Sequence, residues 1–290
     1  MKWALLLVAL VACGGDDDDD DDDSAADAGD PTTVELRGEC AADQRLGAFT
    51  VEAGPDLSSV AGKVENKPQP ASIREEIAAE GGCRLLRREN PFCDPACQGT
   101  EVCDQDSTCV PQPEPRDVGV VTVDGLLVEV EMTPVPPGYN YFETQLPHPA
   151  FDAGALVTLT STDGVYGELE MHGVGPQPLV IVGEEWDVED GIGLAVSWEP
   201  PVGEVRTSVH LELNIDQHGA TPVTLVCELD DTGSATVSGT LTDALFTAGI
   251  SGFPRGSLSR RTADSQDVTD GCIELMVASS RTQSVVVIAP

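Results

Sequence analysis

The chain has 290 residues, with 15 lysines and arginines against 51 aspartates and glutamates, a formal net charge of −36 and nine cysteines. So acidic a chain excludes docking on nucleic-acid phosphates, which needs clustered Lys and Arg, and excludes lying on anionic lipid. The direct consequence of the charge is solubility on a crowded surface.

Residues 1–12 read as an export signal peptide. Lys2 supplies the positive charge, and the apolar run from Ala4 to Ala12 is too short for the ~20 residues of a spanning helix. Leu10-Val11-Ala12-Cys13 resembles the bacterial lipobox. That resemblance implies cleavage before Cys13, a thioether-linked diacylglycerol on its sulfur and an acylated amine, with palmitate among the expected chains. Two or more acyl chains anchor a protein stably where one does not. Gly14 is not the aspartate that retains some lipoproteins at the inner membrane, so the resemblance favours the outer membrane.

Residues 13–31 form the expected stalk. Asp16 to Asp23, then Asp27 and Asp30, are separated only by Ser, Ala and Gly, so nothing there can bury apolar surface. Mutual repulsion extends such a segment, which reaches at most roughly 60 Å at ~3.4 Å per residue. No metal role is assigned to it, because unstructured carboxylates lack a preformed cage.

Residues 32–88 read as a small β module. Apolar and polar residues alternate in LGAFTVEAG and SSVAGKVEN, with Gly and Pro between the runs. ASIREEIAAEGG reads as a short helix stopped by Gly81-Gly82. A core of about 60 residues is marginal, and a Cys40–Cys83 disulfide is the expected compensation.

Residues 89–110 form a cysteine-rich knot, with Cys93, Cys97, Cys103 and Cys109 spaced C-x3-C-x5-C-x5-C among turn-forming Gly, Asp, Pro and Ser. Zinc sites space their cysteine pairs differently, and no histidine is near. The stretch resembles small, loosely EGF-like modules of predicted lipoproteins from GC-rich soil bacteria. Pairing Cys93 with Cys103 and Cys97 with Cys109 is favoured among three connectivities. The even count of eight, Cys13 aside, suits disulfides in an exported chain. Residues 111–116, PQPEPR, read as a stiff linker.

Residues 117–290 carry the clearest strand signal. Val209, Leu211, Leu213 and Ile215 alternate with polar residues, and Val223, Leu225, Cys227 and Leu229 share one face. Period-2 runs recur at 118–132, 155–161, 192–198, 272–278 and 283–288, broken by Asp163-Gly164 and Asp190-Gly191 turns. Only LTDALFTAGI, near 241–250, reads as a helix. The expected fold is therefore mainly β, a disulfide-linked β module and knot followed by an antiparallel β-sandwich. Trp198 resembles the core tryptophan of fibronectin-III-like strands. The remaining disulfide is expected between Cys227 and Cys272, although Cys272 falls on the face of Glu274 and Met276, opposite Ile273, Leu275 and Val277. The knot, the sandwich and the phrases GFPRGSLSRRTADS and DGCIELMVASS resemble uncharacterised lipoproteins of the same soil bacteria over roughly residues 34–290. No activity comes with that resemblance.

Catalytic motifs are missing from the sequence. There is no GxSxG, HExxH, P-loop or GxGxxG, and GISG at 249–252 reads as a turn. His148, His172, His210 and His218 are scattered, and NIDQHG at 214–219 starts like a calcium loop but has Leu225 at the twelfth position. The candidate binding loop is TPVPPGYNYFETQLPHPAF, 133–151, with Tyr139, Tyr141, Phe142 and Phe151. Arg84, Arg87 and Arg88 form the basic cluster of the first module and are expected to pair with neighbouring acids. The reading is a lipid-anchored, non-catalytic binding or structural module of the cell envelope, with no cofactor or metal and no nucleic-acid partner. A protein or glycan is the expected ligand class. The rival reading is an envelope hydrolase whose site is assembled from dispersed carboxylates.

Overall fold

The computed structural model describes residues 34–88, 92–203, 206–215, 222–251 and 253–288. The export signal, Cys13, the aspartate stalk and His218 lie outside the described residues. In chain order the strands begin β1 (Arg45–Ala53), β2 (Ser58–Val64), β3 (Glu75–Glu80), β4 (Cys83–Arg87), β5 (Glu101–Cys103), β6 (Cys109–Pro111), β7 (Gly119–Asp124), β8 (Val130–Met132) and β9 (Tyr141–Glu143). Next come β10 (Leu156–Asp163), β11 (Leu169–Val174), β12 (Glu185–Glu189), β13 (Leu194–Ser197), β14 (Ser208–Asn214), β15 (Val223–Asp230) and β16 (Ser234–Val237). Helix α1 (Gly239–Ala248) and a long hairpin, β17 (Arg255–Val268) and β18 (Gly271–Ile288), end the chain.

The fold is mainly β, as the alternation predicts, and its frame is the β17–β18 hairpin. A ten-stranded sheet runs β3-β4-β15-β14-β17-β18-β1-β2-β9, with β12 also paired to β18. It is mixed rather than purely antiparallel, because β1 and β12 both run parallel to β18. A four-stranded sheet, β11-β10-β7-β8, encloses the first hydrophobic core, built on Phe49, Val51, Val121, Leu159, Met171, Leu275 and Val277. The β13–β16 pair and α1 enclose a second, built on Leu85, Trp198, Leu211, Leu225, Leu241 and Leu258.

Both cores use the same face of the hairpin, and the seam between them is polar. There Thr262 and Ser279 bind the N–H groups of Val174 and Leu179 at 3.0 Å each. Arg260 donates to the carbonyls of Pro178 (3.0 Å) and Glu199 (2.7 Å). A strand face that would otherwise need apolar residues throughout thus carries polar side chains where a crossing chain presents unpaired backbone groups.

Three expectations are corrected. Residues 32–88 are not a separate module: β1 inserts beside β18, and β4 beside β15. The linker is not free-standing, since Asn66 and Glu114 exchange hydrogen bonds and the Arg116 N–H donates to the Val64 carbonyl at 2.8 Å. The stretch read as a helix is a 3-10 turn (Pro70–Ser72) followed by β3, which pairs antiparallel with β4. Gly81, at φ 60°, turns that hairpin, and the long-range pairing overrides the helical preference of Glu and Ala.

The disulfides follow from this topology. Cys40 bonds Cys272, and Cys83 bonds Cys227, in place of the expected Cys40–Cys83 and Cys227–Cys272. Cys83 and Cys227 face each other directly across β4 and β15, with Cα atoms 4.0 Å apart. Cys272 stays on the face of Glu274, where Cys40 meets it and donates its N–H to Glu274 at 2.6 Å. The knot carries Cys93–Cys103 and Cys97–Cys109, the favoured alternative. α1 forms where expected, with Ser238 as its N-cap accepting from the Leu241 N–H at 3.3 Å.

Candidate ligand-binding site

The proline-rich loop 133–151 divides into core and surface. Tyr141 is buried on β9, its ring 5.3 Å edge-on from Phe49. Its hydroxyl accepts from the Val118 N–H at 3.0 Å and donates to the Gly119 carbonyl at 2.9 Å. Burial pushes this phenol up to about 12. Phe49 in turn lies over Gly62, where a Cβ would fall 2.1 Å from its ring. Phe151 is also buried, Tyr139 is half-buried at φ 44°, and Phe142 alone is fully exposed, at 67%. The four rings therefore do not form one contact surface.

Buried charges outside this loop are committed to holding the fold. Asp231 accepts from Arg260 Nε (2.6 Å), Trp198 Nε1 (2.8 Å) and Thr207 Oγ1 (2.8 Å), so both partners of a buried ion pair are satisfied. Asp264 accepts from the Arg37 N–H and Nε, both at 2.9 Å, and from the His172 N–H at 2.8 Å. Arg261 pairs with Glu39 and Glu228, and His210 also contacts Glu228. Burial pushes the Glu228 carboxyl up, but His210 and Arg261 hold it below the ordinary range. His148 bonds Ser58 at 3.0 Å, and His172 bonds Thr158 at 3.2 Å. These groups staple separate strands together.

A different surface carries uncommitted charge. The outer face of the ten-stranded sheet turns its back on the second core, because residues 84, 86, 212, 214, 224, 226, 255 and 257 alternate with buried Leu85, Leu211, Leu213, Leu225 and Leu258. At one end of this face Arg255 pairs in register with Asn214, Asn214 with Thr224, and Thr224 with Leu86. Arg74 and Arg88 each lie one residue beyond the Glu75↔Arg87 pair. Together they line a cavity of about 370 Å³ whose rim includes Arg74, Arg88 and Arg255. Among the described residues, none of these three arginines makes an ion pair, whereas Arg37, Arg45, Arg87, Arg116, Arg260 and Arg261 all do. Arg88 has its Nε buried without a partner there.

A second cavity of about 370 Å³ opens on the other side of Arg88, between the 3-10 turn and the knot, and Phe92 and Val102 give it an apolar wall. Cys93, Cys97 and Cys103 also line it, and although the sulfurs of Cys93, Cys97 and Cys109 lie close together, all are held in disulfides. Of the arginines singled out from sequence, only Arg88 reaches the cavities; Arg87 pairs with Glu75, and Arg84 projects elsewhere on the same face. Arg74 and Arg255 are 181 positions apart, and the sheet alone brings them together. No protein-family model matches the chain, and no curated protein matches it.

Proposed function

We propose that this chain is a lipid-anchored lipoprotein of the bacterial cell envelope, acting there as a non-catalytic binding module. The observation that carries the reading is the cysteine chemistry. All eight cysteines after Cys13 are joined in four disulfides, two of them bridging 232 and 144 positions, which suits an oxidising compartment outside the cytoplasm. The lipobox-like LVAC at 10–13 and the acidic tract behind it supply the anchor and spacer. The commitment of buried charges to structural pairs supports a scaffold over a catalyst, and the unpaired arginines support a surface that takes a ligand.

Membrane fractionation of cells expressing wild type and Cys13→Ala tests this. The wild type is expected in the membrane fraction and the variant in the soluble fraction. A Cys13→Ala chain that stays membrane-bound, or a wild type that is soluble, overturns the reading. Protease shaving of intact cells then assigns the side of the outer membrane that the folded part faces.

A further inference from the structure

Carboxylates outnumber cations more than threefold in this chain, 51 acids against 15 bases. Among the described residues Arg84 and Arg281 also form no ion pair, but Arg74, Arg88 and Arg255 gather at one cavity, and that clustering sets them apart. Like charges brought together on a fixed sheet repel, and a bound anion relieves that repulsion. The rim carries three arginines and Glu212, which leaves two positive charges to be matched. Thr224 and Ser257 add hydroxyls, and the Thr224 oxygen already accepts from Asn214 Nδ2 at 3.3 Å, so its own proton is available to donate.

We propose that this cavity binds a tetrahedral oxyanion of charge −2, a phosphate group free or as the monoester of a small organic body. The argument is geometric as well as electrostatic. A guanidinium offers a planar fork that suits two oxygens at once. One carboxylate has only two oxygens and cannot engage three forks, whereas a phosphate monoester presents three terminal oxygens. Its charge equals the excess on the rim. The cavity exceeds what a bare ion fills, which leaves space for the esterified body. The strongly acidic remainder of the chain repels dianions, but such repulsion is screened beyond ~8 Å at physiological ionic strength, so capture depends on the local trio.

This inference rests on the binding-module reading and names its ligand class. The test is calorimetric titration of the full-length chain with inorganic phosphate and with glucose 6-phosphate, with acetate and glucose as comparisons. One phosphate group per chain is expected to bind, and Arg74→Gln, Arg88→Gln and Arg255→Gln are each expected to weaken it by about tenfold or more. Arg84→Gln, on the same face outside the cavity, is expected to stay within about twofold. Tighter binding of glucose 6-phosphate supports an ester ligand, and tighter binding of inorganic phosphate supports a free-ion site. No saturable binding of either at about 10 mM, acetate binding as well as phosphate, or an equal loss in Arg84→Gln overturns the proposal. The wild-type titration decides even if a variant misfolds. Absent binding with intact Cys13-dependent anchoring refutes the oxyanion site alone; binding by a chain that fails the fractionation test refutes the lipoprotein reading alone.

Discussion

Asp264 on β17 and Glu274 on β18 are both shielded from solvent, yet their environments push them in opposite directions. Burial works to raise Asp264, but hydrogen bonds from Arg37 and from the N–H groups of His172 and Ser265 outweigh it and hold the carboxyl below its ordinary 3.8. For Glu274 burial wins. Arg45 and the Cys40 N–H oppose it, Glu39 adds repulsion, and the carboxyl stays above its ordinary 4.5. The signs follow by linkage. Asp264 contributes stability that is present above pH 3.8 and lost as pH falls through its lowered value. Glu274 contributes stability that is present below pH 4.5 and lost as pH rises through its raised value. Glu274→Gln keeps an acceptor for the Cys40 N–H and removes the titration. Its urea midpoint is therefore expected to vary less than that of wild type as pH rises from the ordinary value toward neutrality. Equal slopes in the two proteins would show that Glu274 ionises without penalty.

At the scale of elements, alternation of residue types made most strands legible, and β10 and β14 bury every second residue. By contrast, β15 and the first half of β18 are buried on both faces, and still alternate in sequence where Val223, Leu225 and Cys227 or Ile273, Leu275 and Val277 face a core. What alternation could not convey is which strand lies beside which. The expected Cys40–Cys83 and Cys227–Cys272 disulfides assumed that neighbours in sequence are neighbours in space, whereas the sheet order places β4 against β15 and the Cys40 segment against β18. The one warning in the sequence was Cys272 on the face of Glu274, and the structure resolves it by bringing Cys40 to that face. The arginine cavity was less legible still, because its residues come from five separate stretches of chain. Disulfide energetics follow from the same distances. By loop entropy the Cys83–Cys227 bridge, over 144 positions, is worth about 5 kcal/mol, and the Cys93–Cys103 bridge, over 10, about 3 kcal/mol. Cys83→Ala with Cys227→Ala should thus cost more in guanidinium denaturation than Cys93→Ala with Cys103→Ala. A larger loss from the knot pair would mean that the knot, and not the sheet, is what the bridges hold.

At the scale of the whole molecule, the decisive fact is that the first third of the chain completes sheets that the last third begins. β1 lies between β18 and β2, and its Phe49 and Val51 are fully buried in the first core. β4 covers the flank of β15 and contributes Leu85 to the second. Without residues 34–110, β18 and β15 would each expose a row of unpaired backbone groups, and both cores would open to water. The reading of 117–290 as an independent sandwich therefore makes a different prediction from the observed topology. A fragment comprising 111–290 is expected to lack a cooperative thermal transition and to aggregate through its bare edges, although it retains β17, the whole of β18 and the four-stranded sheet. Adding the 34–110 segment in trans under oxidising conditions should restore a transition, because Cys40 and Cys83 then find Cys272 and Cys227 across the same interfaces. If the fragment alone unfolds cooperatively, the two cores do not depend on the shared sheet, and the segment before residue 111 is an addition to a complete domain. If it does not, any surface built across β4, β15, β14 and β17, the arginine cavity included, exists only when both ends of the chain are present.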